Sequence, residues 1–107
     1  MKVQELLNHG FNALILPDGE REICGAYSGD LLSWVMGRAQ ADQAWITIMS
    51  NNNIAAVAVL ADVACVILSE GVVPDEEVLK IAEAKGVNIL NCDLPSYEAA
   101  VRLSELI

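Results

Sequence analysis

Apolar runs alternate with helix-like segments along the last two thirds of the chain, and this pattern predicts strands and helices in turn. The runs carry no polar alternation, which is typical of strands covered by helices on both faces. Three strand–helix pairs in succession indicate βαβ units with a parallel sheet. The predicted strands are residues 44–49, 64–68 and 87–91, and the predicted helices are residues 54–61, 74–86 and 97–106.

The first third of the chain is less regular. Its pattern predicts a short helix over residues 3–9, strands over 11–16 and 21–27, and a helix over 31–39. We expect Ser28 or Asp30 to cap that helix and the asparagines at 51–53 to cap the helix at 54–61, whose Val and Ile content would also suit a strand. The predicted fold class is α/β, with a mostly parallel sheet and helices on both faces, in one domain over residues 1–107.

Composition and charge narrow the class of protein. The chain has 54% hydrophobic residues and a net charge of −9. Nucleic acid and anionic membranes both need clustered Lys and Arg, so the charge argues against both partners. No signal peptide and no apolar run of membrane-spanning length is found, and we expect a cytoplasmic protein. The apolar excess indicates a sheet buried on both faces or an oligomer, and we predict a homodimer.

Few residues offer catalytic or metal-binding chemistry. The only histidine is His9, which excludes a histidine-based triad or a multi-histidine metal site. Cys24, Cys65 and Cys92 form no CxxC pair, and we expect each to be a small buried apolar residue. The glycines form neither a P-loop nor a dinucleotide fingerprint. We therefore expect no catalytic residues, no metal and no cofactor.

A ligand site is expected where the parallel strands end, because open α/β sheets bind ligands beyond the carboxyl ends of their strands. These loops contain no Lys or Arg, so their Asn and Asp residues can also be read as caps and turn formers alone. Glu70 and Asp93 can be read as an acid–base pair, or simply as solvated loop acids. The candidate ligand-binding residues are Tyr27, Ser28, Asp30, Thr47, Ser50, Asn51, Asn52, Asn53, Asn91 and Asp93.

Three large side chains leave alternatives open. Trp34 and Trp45 are interpreted as core or dimer contacts, with stacking on a nucleotide base as the alternative. Arg21 is expected to pair with a nearby carboxylate, and contact with an anionic ligand is the alternative.

The segment from Glu20 to Ser33, which reads EREICGAYSGDLLS, resembles the DRTGG domain family, whose typical run is D-R-x-V-T-G-G-Y-x-S-D-L-L-S. The resemblance continues through the later strands and helices and covers nearly the whole chain. Within the five residues that give the family its name, three positions depart: Glu20 stands for the Asp, Cys24 for the Thr and Ala26 for the second Gly.

The resemblance implies an α/β domain similar to the N-terminal domain of HPr kinase/phosphorylase, without that enzyme's P-loop domain. Related domains accompany CBS domains in some pyrophosphatases, and stand-alone members occur in anaerobes beside hydrogenase and electron-transfer proteins. It therefore implies a non-catalytic regulatory module that senses a small molecule, with an adenine nucleotide as the first candidate, or that binds a partner enzyme such as a hydrogenase or an electron-transfer system. A small enzyme that uses the strand-end loops, and a purely structural subunit, are the alternatives.

Overall fold

A five-stranded sheet forms the centre of the protein, as seen in a computed structural model that describes residues 1–107. The strand order is β1-β5-β4-β3-β2, with β2 to β5 parallel and β1 antiparallel to β5. The predicted α/β fold with a mostly parallel sheet is confirmed. The strands are β1 (Asn12–Ile15), β2 (Gly25–Ser28), β3 (Gln43–Thr47), β4 (Cys65–Leu68) and β5 (Ile89–Asn91).

Helices cover both faces of this sheet, as predicted. The helices are a 3₁₀ helix (Val3–His9), α1 (Leu32–Arg38), α2 (Ile54–Ala61), α3 (Glu76–Ala84) and α4 (Ser96–Leu106). One hydrophobic cluster joins α1, α2 and α3 to one face, and a second joins the 3₁₀ helix and α4 to the other. None of these helices has the length and apolar character needed to cross a membrane.

The sequence-predicted elements all occur, with shifted ends. The helix predicted at residues 54–61 has those bounds in the structure. The strand predicted at 21–27 is shorter, because Glu22 forms only an isolated bridge with Lys2 and regular pairing with β3 starts at Gly25. The chain between residues 22 and 25 therefore leaves the sheet edge to meet the 3₁₀ helix.

The three cysteines differ in their surroundings. Cys65 and Cys92 lie in the core, where burial raises the pKa of the Cys65 thiol to about 12 and also raises the pKa of the Cys92 thiol. The prediction of a buried residue is wrong for Cys24, which is exposed and whose thiol donates to the Ala41 carbonyl at 3.4 Å. Cys24 precedes β2 at a sheet edge, where no helix covers it.

Arg21 joins two loops at the amino ends of the strands, which confirms its predicted pairing with a carboxylate. Its guanidinium donates to the Asp42 carboxylate at 3.0 Å and to the carboxylate and carbonyl of Asp62 at 2.8 and 2.6 Å. Burial alone would lower the pKa of Arg21, but the hydrogen bonds to Asp62 and Asp42 outweigh it and raise the pKa. Asp42 and Asp62 both have left-handed backbone, with φ of 66° and 57°, so the same side chain supports two strained turns.

The burial of two thiols gives a simple prediction. In the native protein one thiol per chain should react with Ellman's reagent, because thiolate formation at Cys65 and Cys92 is disfavoured. All three should react after denaturation, and Cys24→Ser should leave no reactive thiol in the native state. A second fast-reacting thiol in the native protein would contradict this arrangement of the core.

Removing the Arg21 side chain should destabilise the fold. We expect Arg21→Ala to lower the free energy of unfolding by about 1–2 kcal/mol, since three charge-assisted hydrogen bonds are lost but their carboxylate partners are partly solvated. Urea denaturation measures this, with Arg102→Ala as the control, because Arg102 makes a single 3.4 Å hydrogen bond to the His9 carbonyl. Equal midpoints for the two variants would show that Arg21 does not support the turns.

Candidate functional site

The family-like segment is divided between the two ends of β2. Arg21 and Cys24 lie before β2 at the amino edge of the sheet, whereas Ser28 and Asp30 lie at the carboxyl edge. Strands rise about 3.3 Å per residue, so four-residue β2 holds the two groups roughly 10 Å or more apart. One small ligand therefore does not contact both groups. Arg21 lies outside the strand-end site and does not contact an anion bound there.

Asp30 fixes the ends of β2 and β3 to each other. Its Oδ1 accepts hydrogen bonds from the Thr47 hydroxyl at 2.8 Å and from the Ile48 backbone N–H at 3.0 Å. The Thr47 hydroxyl in turn accepts from the Met49 N–H at 3.1 Å. The predicted capping of α1 by Ser28 or Asp30 is wrong, because the first helical turn has no side-chain cap and the Asp30 carboxylate points to the neighbouring strand instead.

Gly29 is the residue of this loop that cannot carry a side chain without a shift. A Cβ atom there would lie 2.9 Å from Cε2 of the Tyr27 ring, so Tyr27 lies over the glycine. The Gly29 carbonyl accepts from the indole N–H of Trp45 at 2.9 Å, and its N–H donates to the Ile46 carbonyl at 3.1 Å. Trp45 is fully buried, so it is a core residue, as interpreted from the sequence, and it is not free to stack on a base.

The loop between β3 and α2 offers the free polar groups of this edge. Oδ1 of Asn51 accepts from the Asn53 N–H at 2.9 Å, which makes a local turn, and no asparagine side chain caps α2, contrary to the prediction. The side chains of Ser50, Asn52 and Asn53 make no hydrogen bond within the chain, and Asn52 and Asn53 are exposed. Neutral donors and acceptors are thus available to a ligand here.

The crevice between the ends of β4 and β5 is filled by the protein itself. The two strands lead to helices on opposite faces, which is the arrangement that commonly opens a ligand crevice. Here the Glu70 carboxylate accepts from the Ser96 N–H at 2.9 Å, the Ser69 and Ser96 hydroxyls are 2.7 Å apart, and the Glu70 N–H donates to the Leu94 carbonyl at 2.8 Å. Glu70 therefore caps α4 and is not free to act as a general acid or base.

Asn91 and Asp93 lie on the far side of this crevice. Asn91 is 8% exposed, and its amide donates to the Val72 carbonyl at 3.2 Å. Asp93 is exposed and its carboxylate makes no hydrogen bond within the chain. Since neighbouring strands are about 4.8 Å apart, the end of β5 lies roughly 10 Å from the end of β3.

The structure thus gathers the predicted site residues at one edge in two groups. Tyr27, Ser28, Asp30 and Thr47 adjoin one another at the ends of β2 and β3, followed directly by the 50–53 loop. Asn91 and Asp93 form the second group, two strands away. Asp30, Glu70 and Asp93 give the edge a negative charge, and no Lys or Arg is present in its loops. This negative charge opposes the binding of an anion, and a divalent cation beside the anion would reduce the repulsion.

A surface groove lies elsewhere on the molecule and was not anticipated from the sequence. It has a volume of about 360 Å³ and lies along the outer face of α4, lined by Leu94, Tyr97, Glu98, Val101, Arg102 and Glu105. The residues that line the groove follow the spacing of an ordinary amphipathic helix, and such spacing in a sequence does not indicate a binding site. The groove contains none of the predicted ligand residues.

Comparisons with known proteins agree with this fold. None of the curated proteins matches the chain significantly. Among solved structures, the chain is similar to the CBS and DRTGG domains of the regulatory region of Clostridium perfringens pyrophosphatase, a structure complexed with the activator diadenosine tetraphosphate. The TM-score is 0.70 and the identity 14%, over 94% of this chain and 44% of that one.

A family model for the DRTGG domain matches residues 28–106. The match begins at the last residue of β2, so it covers the strand-end loops and all four α-helices but not Arg21 and Cys24. The chain belongs to the DRTGG domain family.

Proposed function

We propose that this protein is a non-catalytic regulatory module that binds a small molecule at the carboxyl edge of its sheet and acts on a partner enzyme. One observation carries the proposal: two of the three carboxylates of this edge are used to hold the protein together, and the unengaged side chains of the loop between β3 and α2 are neutral. Asp30 joins β2 to β3 and Glu70 caps α4, while Ser50, Asn52 and Asn53 are unengaged. Such a surface supports recognition better than proton transfer or nucleophilic attack.

The nucleophilic side chains also support a non-catalytic role. Burial raises the pKa of Cys65 and Cys92, which disfavours their reactive thiolate forms. Cys24 is exposed, but it lies at the amino edge of the sheet, away from Asp30 and Glu70. No accessible cysteine therefore lies beside the carboxylates of the strand-end edge.

An adenine nucleotide is the first candidate ligand. The similar regulatory region of the clostridial pyrophosphatase was solved with diadenosine tetraphosphate, although this chain spans 44% of that structure. We propose that a nucleotide contacts residues 27–30, 50–53 and 91–93, with the uncharged amides meeting the base or ribose and a divalent cation beside the phosphates. The resemblance to stand-alone family members extends the proposal to a partner enzyme of anaerobic metabolism, such as a hydrogenase or an electron-transfer protein.

We further propose that residues 1–107 act as one DRTGG-type domain, although the family match starts at residue 28. Backbone bonds support this: the Ile23 N–H donates to the Met1 carbonyl and the Val3 N–H to the Arg21 carbonyl. Arg21 then ties this segment to Asp62. The residues before position 28 are thus hydrogen-bonded to each other and to the region that the family model matches.

Nucleotide binding should raise the melting temperature. With Mg²⁺, diadenosine tetraphosphate or AMP at 100 times its dissociation constant should add about 2.7 kcal/mol of stability. Asn52→Ala should weaken the nucleotide-dependent shift without changing the melting temperature of the free protein, because Asn52 is exposed and makes no internal hydrogen bond. Asn8→Ala, which removes an exposed asparagine of the 3₁₀ helix, is the control. If no adenine nucleotide at millimolar concentration shifts the melting temperature, the nucleotide proposal is contradicted. Binding to a partner enzyme would then be the remaining regulatory role.

Phosphoryl transfer should be absent. Transfer from ATP needs cationic or metal clamps around the phosphates, and the strand-end loops contain no Lys or Arg. Incubation with labelled ATP and Mg²⁺ should release no more phosphate than buffer does. Hydrolysis that falls in Asp30→Asn or Glu70→Gln, and is retained in the exposed control Glu83→Gln, would show that the edge is catalytic and would overturn the proposal.

A further inference from the structure

The outer surface of α1 and α2 carries several exposed apolar side chains, beside the exposed Ser33 and Gly37 of α1. Leu31, Trp34 and Met36 are 57%, 52% and 49% exposed, and Val59 and Leu60 are 49% and 73% exposed. α2 has the sequence IAAVAVLA and offers no polar side chain to water. α1 and α2 pack side by side on the same face of the sheet, so their exposed side chains belong to one layer. We call this surface, defined by these five residues, the α1/α2 face.

Few charged residues belong to the part of the chain that forms the α1/α2 face. Between residues 31 and 61 the only charged residues are Arg38 and Asp42, and Asp42 is bound by Arg21 at the amino edge of the sheet. Arg38 stacks on Trp34, with its guanidinium carbon 3.7 Å from the ring centre. Fourteen of the 15 acidic residues therefore lie outside this stretch of the chain. Two copies with a net charge of −9 can meet through α1 and α2 with fewer opposed carboxylates than through α3 or α4, whose sequences contain three and two glutamates.

We propose that a second copy of this chain covers the α1/α2 face, forming a symmetric dimer. The exposed parts of the five side chains amount to roughly 500 Å², a large share of the ~800 Å² that each partner buries in a stable interface. Trp, Met and Arg are enriched in interfaces, whereas Lys, Glu and Asp are depleted, and the face has this composition. A twofold axis places the same apolar patch on both copies, so the patch is its own complement.

Charge also favours a second copy over a different partner. A different partner attracted by the net charge would have Lys and Arg on its surface. These side chains would bind to the acidic residues on the other surfaces of this protein. A largely apolar face is best matched by another apolar face, which a second copy supplies. The proposal is independent of the proposed function, because the strand-end loops that carry the free polar groups are not among the five residues of the face.

A charge placed in the face should separate the copies. Sedimentation velocity at tens of micromolar should give wild-type protein twice the 11.5 kDa chain mass. Leu60→Glu should give the monomer mass with an unchanged far-ultraviolet circular dichroism spectrum. Val73→Glu is the matched control, since Val73 is 67% exposed but lies outside the face, and it should remain dimeric. A monomeric wild-type protein, or a dimer that survives Leu60→Glu, would overturn the proposal.

A second pair of variants tests the face without adding charge. Trp34→Ala should weaken dimerisation at least tenfold, because buried tryptophans at interface centres contribute strongly to binding. Tyr97→Ala removes an aromatic ring that is 79% exposed on α4, and it should leave the dimer dissociation constant unchanged. Weakening by Tyr97→Ala but not by Trp34→Ala would place the interface on α4 and refute the α1/α2 face.

Discussion

Strands β2 to β5 lie side by side in chain order, so each right-handed crossover places its helix on the same face of the sheet. α1, α2 and α3 therefore form one layer, and the other face is left for elements that come from the two ends of the chain. The 3₁₀ helix and α4 fill it. β4 lies at the centre of this arrangement, and all four of its residues are buried.

The same constraint determines where polar chemistry can occur. The parallel strands share one carboxyl edge, and the change of face between α3 and α4 opens a crevice beside β4 and β5. Glu70 and Ser96 close that crevice with hydrogen bonds, so the free amides remain on the β3–α2 loop. Both the exposed apolar layer and the exposed polar loop thus follow from one topology, and each is available to a different kind of partner.

The fold was predictable because its signals are local. Buried runs such as CVIL and the apolar α2 show their structure in the sequence, and the order of the strand–helix pairs gives a parallel sheet. The site was predictable only as an edge of the sheet. The position of Asp30 before α1 predicted a helix cap. In the structure its carboxylate accepts hydrogen bonds from Thr47 and Ile48, which belong to the end of the neighbouring strand, and no local sequence pattern reveals this contact. Cys24 looked like a core residue, and its exposure depends on its place at an uncovered edge.

A ribosome makes β1 long before β5, yet these two strands pair with each other along Asn12 and Asn91. Leu6 and Phe11 likewise share their hydrophobic cluster with Ala99 and Leu103 of α4. During synthesis the apolar side chains of the first segment therefore lack part of their native cluster until α4 has been made. Until then these side chains remain open to non-native contacts, which are a route to aggregation.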